Sequence, residues 1–129
     1  MKKAKKVLSF LLAFALVFCF CACGNTEPEP VEEPGPGFEV SDYTFKSSKK
    51  LDDHFEKHGI DMGFETKEDY VYAANLVISN PESLHKYEKE DGDDVFYLEA
   101  TNEFVVLSTE GYIRTYFCPD SGEKYYDKQ

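Results

Sequence analysis

Apolar residues divide the chain into three stretches of different character. Residues 7–20 carry no charge and follow four lysines among the first six residues. Residues 24–37 hold four of the six prolines and four glutamates, without any repeating apolar position. From residue 38 to residue 129, apolar residues recur first at helical and then at strand spacing. This pattern predicts a leader at 1–22, a spacer at 23–37 and one globular domain at 38–129.

Two helices are predicted at the start of the globular domain. Residues 47–59 place Leu51 and Phe55 four positions apart, on one helix face, after a serine that can cap the first turn. Residues 66–78 repeat apolar residues at helical spacing. Pro81 ends this second helix, because a proline disfavours helical geometry at the residue before it.

The remaining apolar positions predict strands. Short turns rich in glycine, asparagine and acidic residues separate four strand patterns, at residues 84–90, 95–100, 104–108 and 112–118. Connections this short force neighbouring strands to run antiparallel. Tyr125 and Tyr126 form a candidate fifth strand. We therefore expect an α+β fold in which two N-terminal helices pack on a four- to five-stranded antiparallel meander sheet.

The leader resembles the signal sequence of a bacterial lipoprotein. Its uncharged run is shorter than the roughly 20 residues that span a bilayer, but it suits the apolar core of a signal peptide. Ala22 then precedes Cys23, as in a lipobox. The resemblance implies cleavage after Ala22 and lipidation of Cys23, which would hold the domain at the outer face of the plasma membrane. An uncleaved N-terminal anchor is the alternative, and it leaves the domain on the same side.

The predicted cleavage and lipidation would account for three of the four cysteines. Cys19 and Cys21 leave with the signal and Cys23 carries lipid, so Cys118 has no partner for an intramolecular disulfide. We expect Cys118 to be a buried or edge thiol, with a nucleophilic role as the alternative. We expect the prolines, and repulsion between the glutamates, to extend the spacer, which in a polyproline-like conformation of about 3 Å per residue would reach roughly 40 Å from the membrane.

The chain is acidic, with 25 Asp and Glu against 14 Lys and Arg and a formal net charge of -11. Removing the leader takes away four lysines and no acid, so the net charge becomes -15. Long-range repulsion therefore excludes a general binder of nucleic acid or of an anionic membrane surface. The GxSxG, GxGxxG and P-loop motifs are absent from the sequence. We expect a monomer without a cofactor.

Two groups of residues suggest metal ligands, and neither predicts a site. His54 and His58 are four residues apart, but Phe55 stands where an HEXXH motif has glutamate. Further ligands for zinc could come from Asp53, Asp61 and His85. Only the two helical histidines are spaced so that both could bind one metal ion, whereas zinc needs three or four converging ligands. The acidic run at 90–94 lacks the spacing of an EF-hand, so we read it as a solvated hairpin tip, with weak calcium binding as the alternative.

Metal-free cleavage of RNA is the chemistry that the remaining polar residues fit. It needs a base for the 2′-OH proton, an acid for the leaving 5′-oxygen and a cation for the phosphorane charge. Histidines can serve as the acid–base groups near neutral pH. Arg114, the only arginine, can clamp a phosphate, while Thr115 and Tyr116 can donate hydrogen bonds. Strand alternation turns Arg114 and Tyr116 to one face, and Ile113 and Thr115 to the other, unless a bulge intervenes.

These residues lie in stretches that resemble the small toxin-type RNases. The resemblance is to the barnase, EndoU, colicin and RelE-like superfamily, in the version fused to phage and mobile-element proteins. It covers about residues 48 to 120. The similar stretches are DHFEKHG at 53–59, LHK at 84–86 and GYIRTYFCP at 111–119.

The resemblance implies roles for five residues. His58 or His54 would be the acid–base group, Arg114 the phosphate clamp, and Thr115 or Tyr116 the hydrogen-bond donor. Structural roles are the alternatives. His58 would then be a charge at a helix C-terminus, and Arg114 a cross-strand partner of an acidic residue, Glu99 or Glu103.

Two functions follow from this reading. The first is a surface-anchored lipoprotein whose RNase-like domain is a non-catalytic binding module or retired relative, contacting RNA, an envelope protein or a polymer. The alternative is an active, metal-independent RNase. Catalysis requires His58 and Arg114 to meet in one cleft with positive local potential, whereas binding alone predicts an open, acidic, aromatic surface.

Overall fold

The computed structural model describes residues 37–129. The predicted leader, the predicted lipidation at Cys23 and all but the last residue of the predicted spacer lie outside the described residues. The described part forms one compact unit. Its helices are α1 (Ser48–His54), which continues into a π-helical turn (Phe55–Gly59), α2 (Lys67–Ser79) and α3 (Glu123–Asp127), and its strands are β1 (Leu84–Tyr87), β2 (Asp94–Leu98), β3 (Glu103–Leu107) and β4 (Ile113–Phe117).

The four strands form one antiparallel sheet in the order β1-β2-β3-β4. The α+β class and the four-stranded antiparallel meander are therefore confirmed. The fifth strand predicted at Tyr125 and Tyr126 is wrong, because both residues lie in α3. Gly122, at φ +60°, turns the chain into this helix, and Tyr126 then stacks on Tyr97 of β2 with the ring centroids 6.0 Å apart.

Each face of the sheet covers its own hydrophobic cluster. The α2 face is built from buried residues of α2, β2, β3 and β4 together with Phe45. The α3 face is smaller and joins Tyr126 to buried residues of β2 and β3. Phe104–Leu107 of β3 are all buried, which agrees with a central strand that packs on both sides.

Asn75 of α2 ties the chain segment before α1 to the domain. Its side-chain oxygen accepts hydrogen bonds from Tyr43 N at 2.8 Å and Ser41 Oγ at 2.9 Å, and its amide donates to Tyr43 O at 2.8 Å. Because Asn75 is only 3% exposed, water cannot easily replace these bonds. The segment then runs beside β4, where Ile113 N donates to Thr44 O at 2.8 Å.

A β-bulge at the start of β4 overturns the expected alternation. Val106 pairs with Thr115 and Leu107 pairs with Ile113, so Arg114 has no residue opposite it. The extra residue puts Ile113 and Tyr116 into the same cluster on the α2 face. Tyr116 and Arg114 therefore do not share a face as unbroken alternation predicts.

Gly59 closes the π-helical turn against the core. A Cβ built at this position would lie 2.5 Å from Phe55 Cδ2 and 3.2 Å from Tyr70 Cδ2, so only glycine lets the turn approach these rings. The turn is held by an i→i+5 hydrogen bond from Ile60 N to Phe55 O at 3.1 Å. Such π-helical turns are rare in proteins, and many of those that occur lie at functional sites. Here the turn carries His58, while His54 lies directly before it.

Candidate functional site

Two open pockets lie beside the histidines of α1 and its π-helical turn. The first, the basic pocket, has a volume of about 300 Å³ and is lined by Lys46, Lys50, His54, Tyr112, Ile113 and Arg114. The second, the His58 pocket, has a volume of about 430 Å³ and is lined by His58, Asp61, Met62, Phe117, Cys118 and Asp120. The two histidine rings are 6.0 Å apart between centroids, yet they line different pockets.

The basic pocket brings His54 and Arg114 together. The His54 ring packs against Phe45, with the ring centroids 5.1 Å apart. Phe45 is buried and forms an isolated parallel β-bridge with Ile113, the residue directly before Arg114. The core contact therefore joins the end of α1 to the start of β4, which neither helical nor strand periodicity could predict.

Three cations surround this pocket. Lys46 Nζ lies 5.4 Å from the centroid of the Tyr112 ring, and Arg114 Cζ lies 5.3 Å from the same centroid. Cation–π attraction holds both charges beside one ring despite their mutual repulsion. Among residues 37–129, neither Lys46 nor Lys50 forms an ion pair, whereas Lys49 pairs with Asp53 at 2.8 Å. The pocket is thus locally positive within an acidic domain.

Asp93 holds the Arg114 side chain in place. The Asp93 side chain is 1% exposed, and its Oδ2 forms an ion pair with Arg114 Nε that lacks the alignment of a hydrogen bond. Its Oδ1 accepts from Thr109 N at 3.2 Å. The contact with Asp93 raises the pKa of Arg114 above its usual value. The expected pairing of Arg114 with Glu99 or Glu103 is wrong, because Arg114 pairs with Asp93 and the register places Phe104, the neighbour of Glu103, opposite Phe117 at the other end of β4.

His58 is placed away from Arg114, in the His58 pocket. Its ring stacks on Phe117 with the centroids 5.1 Å apart. Burial, followed by the charge of Lys57, lowers the pKa of His58. The interpretation of His58 as a protonated charge at a helix end is therefore not supported, because desolvation opposes the helix dipole.

His54 is also held in its neutral form. Burial lowers its pKa first, and the neighbouring charges of His58 and Lys50 lower it further. Its Nδ1 is buried without a hydrogen-bond partner among the described residues. A neutral imidazole in a basic pocket can accept a proton or donate one hydrogen bond to a bound anion.

The other two predicted site residues take no part in either pocket. Tyr116 is fully buried, and its hydroxyl bonds to the Glu103 carboxylate while its carbonyl accepts from Tyr70 Oη at 2.5 Å. Burial strongly raises the pKa of both tyrosines. Thr115 pairs with Val106 in the sheet and lines neither pocket. Tyr116 is therefore a core residue whose polar atoms serve the fold.

Sequence reasoning missed Lys46, Lys50 and Tyr112. Lys50 lies in the first turn of α1, next to Lys49, where helical periodicity gives no reason to separate the two. Lys46 precedes the helix in a segment with no recognisable motif. One signal in the sequence could have identified the two lysines. Four lysines fall within residues 46–57, although the chain is acidic overall.

The candidate metal ligands do not converge as the zinc hypothesis required. His85 bonds to Asp94 at 2.7 Å on β1 and β2, away from His54 and His58. Within residues 37–129, the side chains grouped closely enough to hold a cation are Glu88, Asp91 and Asp93, whose ligand atoms lie within 4.8 Å of one another. Arg114 already balances the charge of Asp93 in this cluster.

Cys118 is an exposed free thiol directly after β4. Burial of its sulfur, followed by the charge of Glu103, raises its pKa. A thiol that stays protonated at neutral pH is a weak nucleophile. This favours the edge-thiol interpretation over a catalytic one.

Comparison with protein families and curated proteins found no relative of the chain: no family model matches it, and no curated protein matches it. None of the helices within residues 37–129 combines the length and the apolar character needed to cross a bilayer. The geometry of the two pockets is therefore what points to a function.

The lowered pKa values of His54 and His58 predict that acid destabilises the domain. Their folded pKa values lie below the unfolded value of 6.5, so the unfolded chain binds more protons as the pH falls. The stabilising difference is complete above pH 6.5 and is lost as the pH falls below it. We expect the free energy of unfolding, measured with urea, to decrease between about pH 7.5 and pH 5.5, and to decrease less in the His54→Gln/His58→Gln variant.

Comparing variant and parent at each pH removes the contribution of carboxylates that both proteins share. An equal decrease in the two proteins would contradict the assignment of this pH dependence to the histidines.

Proposed function

We propose that the chain is a lipoprotein anchored through Cys23 at the outer face of the plasma membrane, and that its domain binds an anionic group in the basic pocket. The observation that carries the proposal is the convergence of Lys46, Lys50 and Arg114 on one pocket of a chain with a net charge of -11. The anionic group would belong to an envelope polymer, an envelope protein or RNA.

Binding is favoured over catalysis because the pocket lacks a second acid–base group. Only His54 lines it, while His58 faces the other pocket. Neither Thr115 nor Tyr116 is available as a donor there. A cleavage reaction needs both a base and an acid, whereas anion binding needs only the cations and hydrogen-bond donors that are present.

The acidic surroundings make the pocket selective at short range. At physiological salt, charges farther apart than the Debye length of about 8 Å are largely screened. A small anion in the pocket therefore interacts mainly with the local cations, whereas a long polyanion also runs close to the acidic surface around the pocket and is repelled there. A small or locally exposed anionic group is therefore a better ligand than a long, uniformly charged polymer.

Replacing Lys50 tests the basic pocket. We expect the full-length chain in non-ionic detergent micelles to bind short-chain polyphosphate, and Lys50→Gln to weaken binding about tenfold through loss of one charged contact. Lys49→Gln is the matched control, since Lys49 lies on the same helical turn but pairs with Asp53. Isothermal titration calorimetry gives both affinities. Equal effects of the two substitutions would contradict the proposal.

Replacing Cys23 tests the anchor. In cells fed radiolabelled palmitate, we expect label on the wild-type chain in the membrane fraction and none on Cys23→Ser. The matched control is Cys21→Ser, which retains the sulfur that the lipobox would modify. Labelled Cys23→Ser, or an unlabelled wild-type chain with its first methionine intact, would refute lipidation at this residue.

An active RNase is the second candidate, and one observation favours it. His54 is neutral and shares a pocket with Arg114 and two lysines, which is the combination of base and cations that 2′-OH attack requires. In this candidate, α1 and α2 against the sheet correspond to the RNase-like arrangement that the sequence resembles. His54 would accept the 2′-OH proton, and the cations would stabilise the phosphorane.

RNA degradation in EDTA decides between the candidates. An RNase would cleave RNA to 2′,3′-cyclic phosphate ends, and His54→Ala would lower the rate by about 100-fold or more. His58→Ala is the matched control and would retain activity, because its ring lies in the other pocket. No cleavage at micromolar protein would eliminate the enzyme and leave the binding module.

A further inference from the structure

The number and arrangement of charges in the basic pocket point to a particular kind of anion. We propose that the pocket binds a dianionic phosphate group, as inorganic phosphate or a phosphomonoester, in preference to a carboxylate or a phosphodiester. This inference rests on the proposed anion-binding function and specifies its ligand.

The first argument is the balance of charge. Lys46, Lys50 and Arg114 contribute three permanent positive charges, and the buried carboxylate of Asp93 neutralises the charge of Arg114. Glu88 and Asp91 are grouped with Asp93 but do not line the pocket, so within the lining the two lysines remain without an ion-pair partner among the described residues. A dianion balances both, whereas a carboxylate or a phosphodiester leaves one lysine unpaired.

Second, the cations that line the pocket come from three separate segments of the chain. Lys46 and Arg114 are each held a little over 5 Å from the Tyr112 centroid, and Lys50 approaches from α1. Three donors from three segments suit a tetrahedral group with three terminal oxygens. A carboxylate or a phosphodiester has only two such oxygens to offer.

The third argument is the state of Arg114. The ion pair with Asp93 through Nε restrains the guanidinium, and its terminal N–H groups can still donate to a ligand. Arg114 is still 41% exposed along its side chain, so a ligand can reach it. A guanidinium held in this way loses little conformational entropy when it binds phosphate.

The shape of the pocket agrees with a terminal phosphate. The volume of about 300 Å³ is open to solvent on one side and includes only one aliphatic side chain, Ile113. It can enclose a phosphate group while the rest of an ester extends into water. Lys46 and Arg114 already lie beside the Tyr112 ring, which argues against stacking of a base or sugar on it.

The experiment compares four small probes on the full-length chain in non-ionic detergent micelles at pH 8, where a phosphomonoester is a dianion. The probes are inorganic phosphate, glucose 6-phosphate, dimethyl phosphate and acetate. We expect the first two to bind at least about tenfold more tightly than the last two, because one more charge interacts with the pocket. Tighter binding of glucose 6-phosphate than of phosphate identifies an esterified ligand, and the reverse identifies the free ion.

Variants test whether the preference for dianions over monoanions depends on the basic pocket. Lys46→Gln and Lys50→Gln should each reduce the preference for dianions about tenfold, whereas Lys49→Gln should leave it unchanged. Circular dichroism verifies that the variants fold. Equal binding of dimethyl phosphate and inorganic phosphate would overturn the inference while leaving an anion pocket. If polyphosphate also fails to bind, the proposed function is overturned together with it.

Discussion

A buried carboxylate that must be neutralised determines the arrangement of the site. Asp93 is removed from water and would be costly without a cationic partner, and Arg114 supplies the charge. Because Thr109 N also bonds to Asp93, the pair joins the loop before β2, the turn after β3 and the first part of β4. Arg114 can reach Asp93 from the bulge, where it has no cross-strand neighbour. The only arginine of the chain is therefore held by the fold before any ligand arrives.

The rest of the basic pocket is supported by the core. Asn75 fixes the segment that leads to Phe45, and Phe45 packs against both His54 and Tyr70. Lys46 follows Phe45 directly, so its backbone position is set by a buried neighbour although its own side chain is exposed. A pocket built in this way is preorganised in its backbone, and only the lysine side chains need to be ordered on binding.

The two histidines show how one helical segment can serve two environments. His54 at the end of α1 faces cations, while His58 in the π-helical turn lies against Phe117 beside two aspartates. Burial lowers the pKa of both rings, so both are neutral at pH 7. The local positive charge of the basic pocket consequently comes from lysine and arginine. Anion binding is preferred to catalysis because His54 is the one histidine of the described residues that lines this pocket, so a second acid–base group is missing there.

Local patterns in the sequence determined the α+β class, the four-stranded meander, the acidic charge and the presence of histidines and Arg114 as candidate residues. Helical and strand periodicity depend on neighbours a few positions away, so they can be read without the fold. Tertiary structure alone decided that α3 replaces a fifth strand, that a bulge displaces Arg114, and that His54 rather than His58 shares its pocket. It also placed Lys46 and Lys50 in the lining of the basic pocket. These outcomes depend on which distant residues pair across strands and pack in the core, and no short stretch of sequence contains that information.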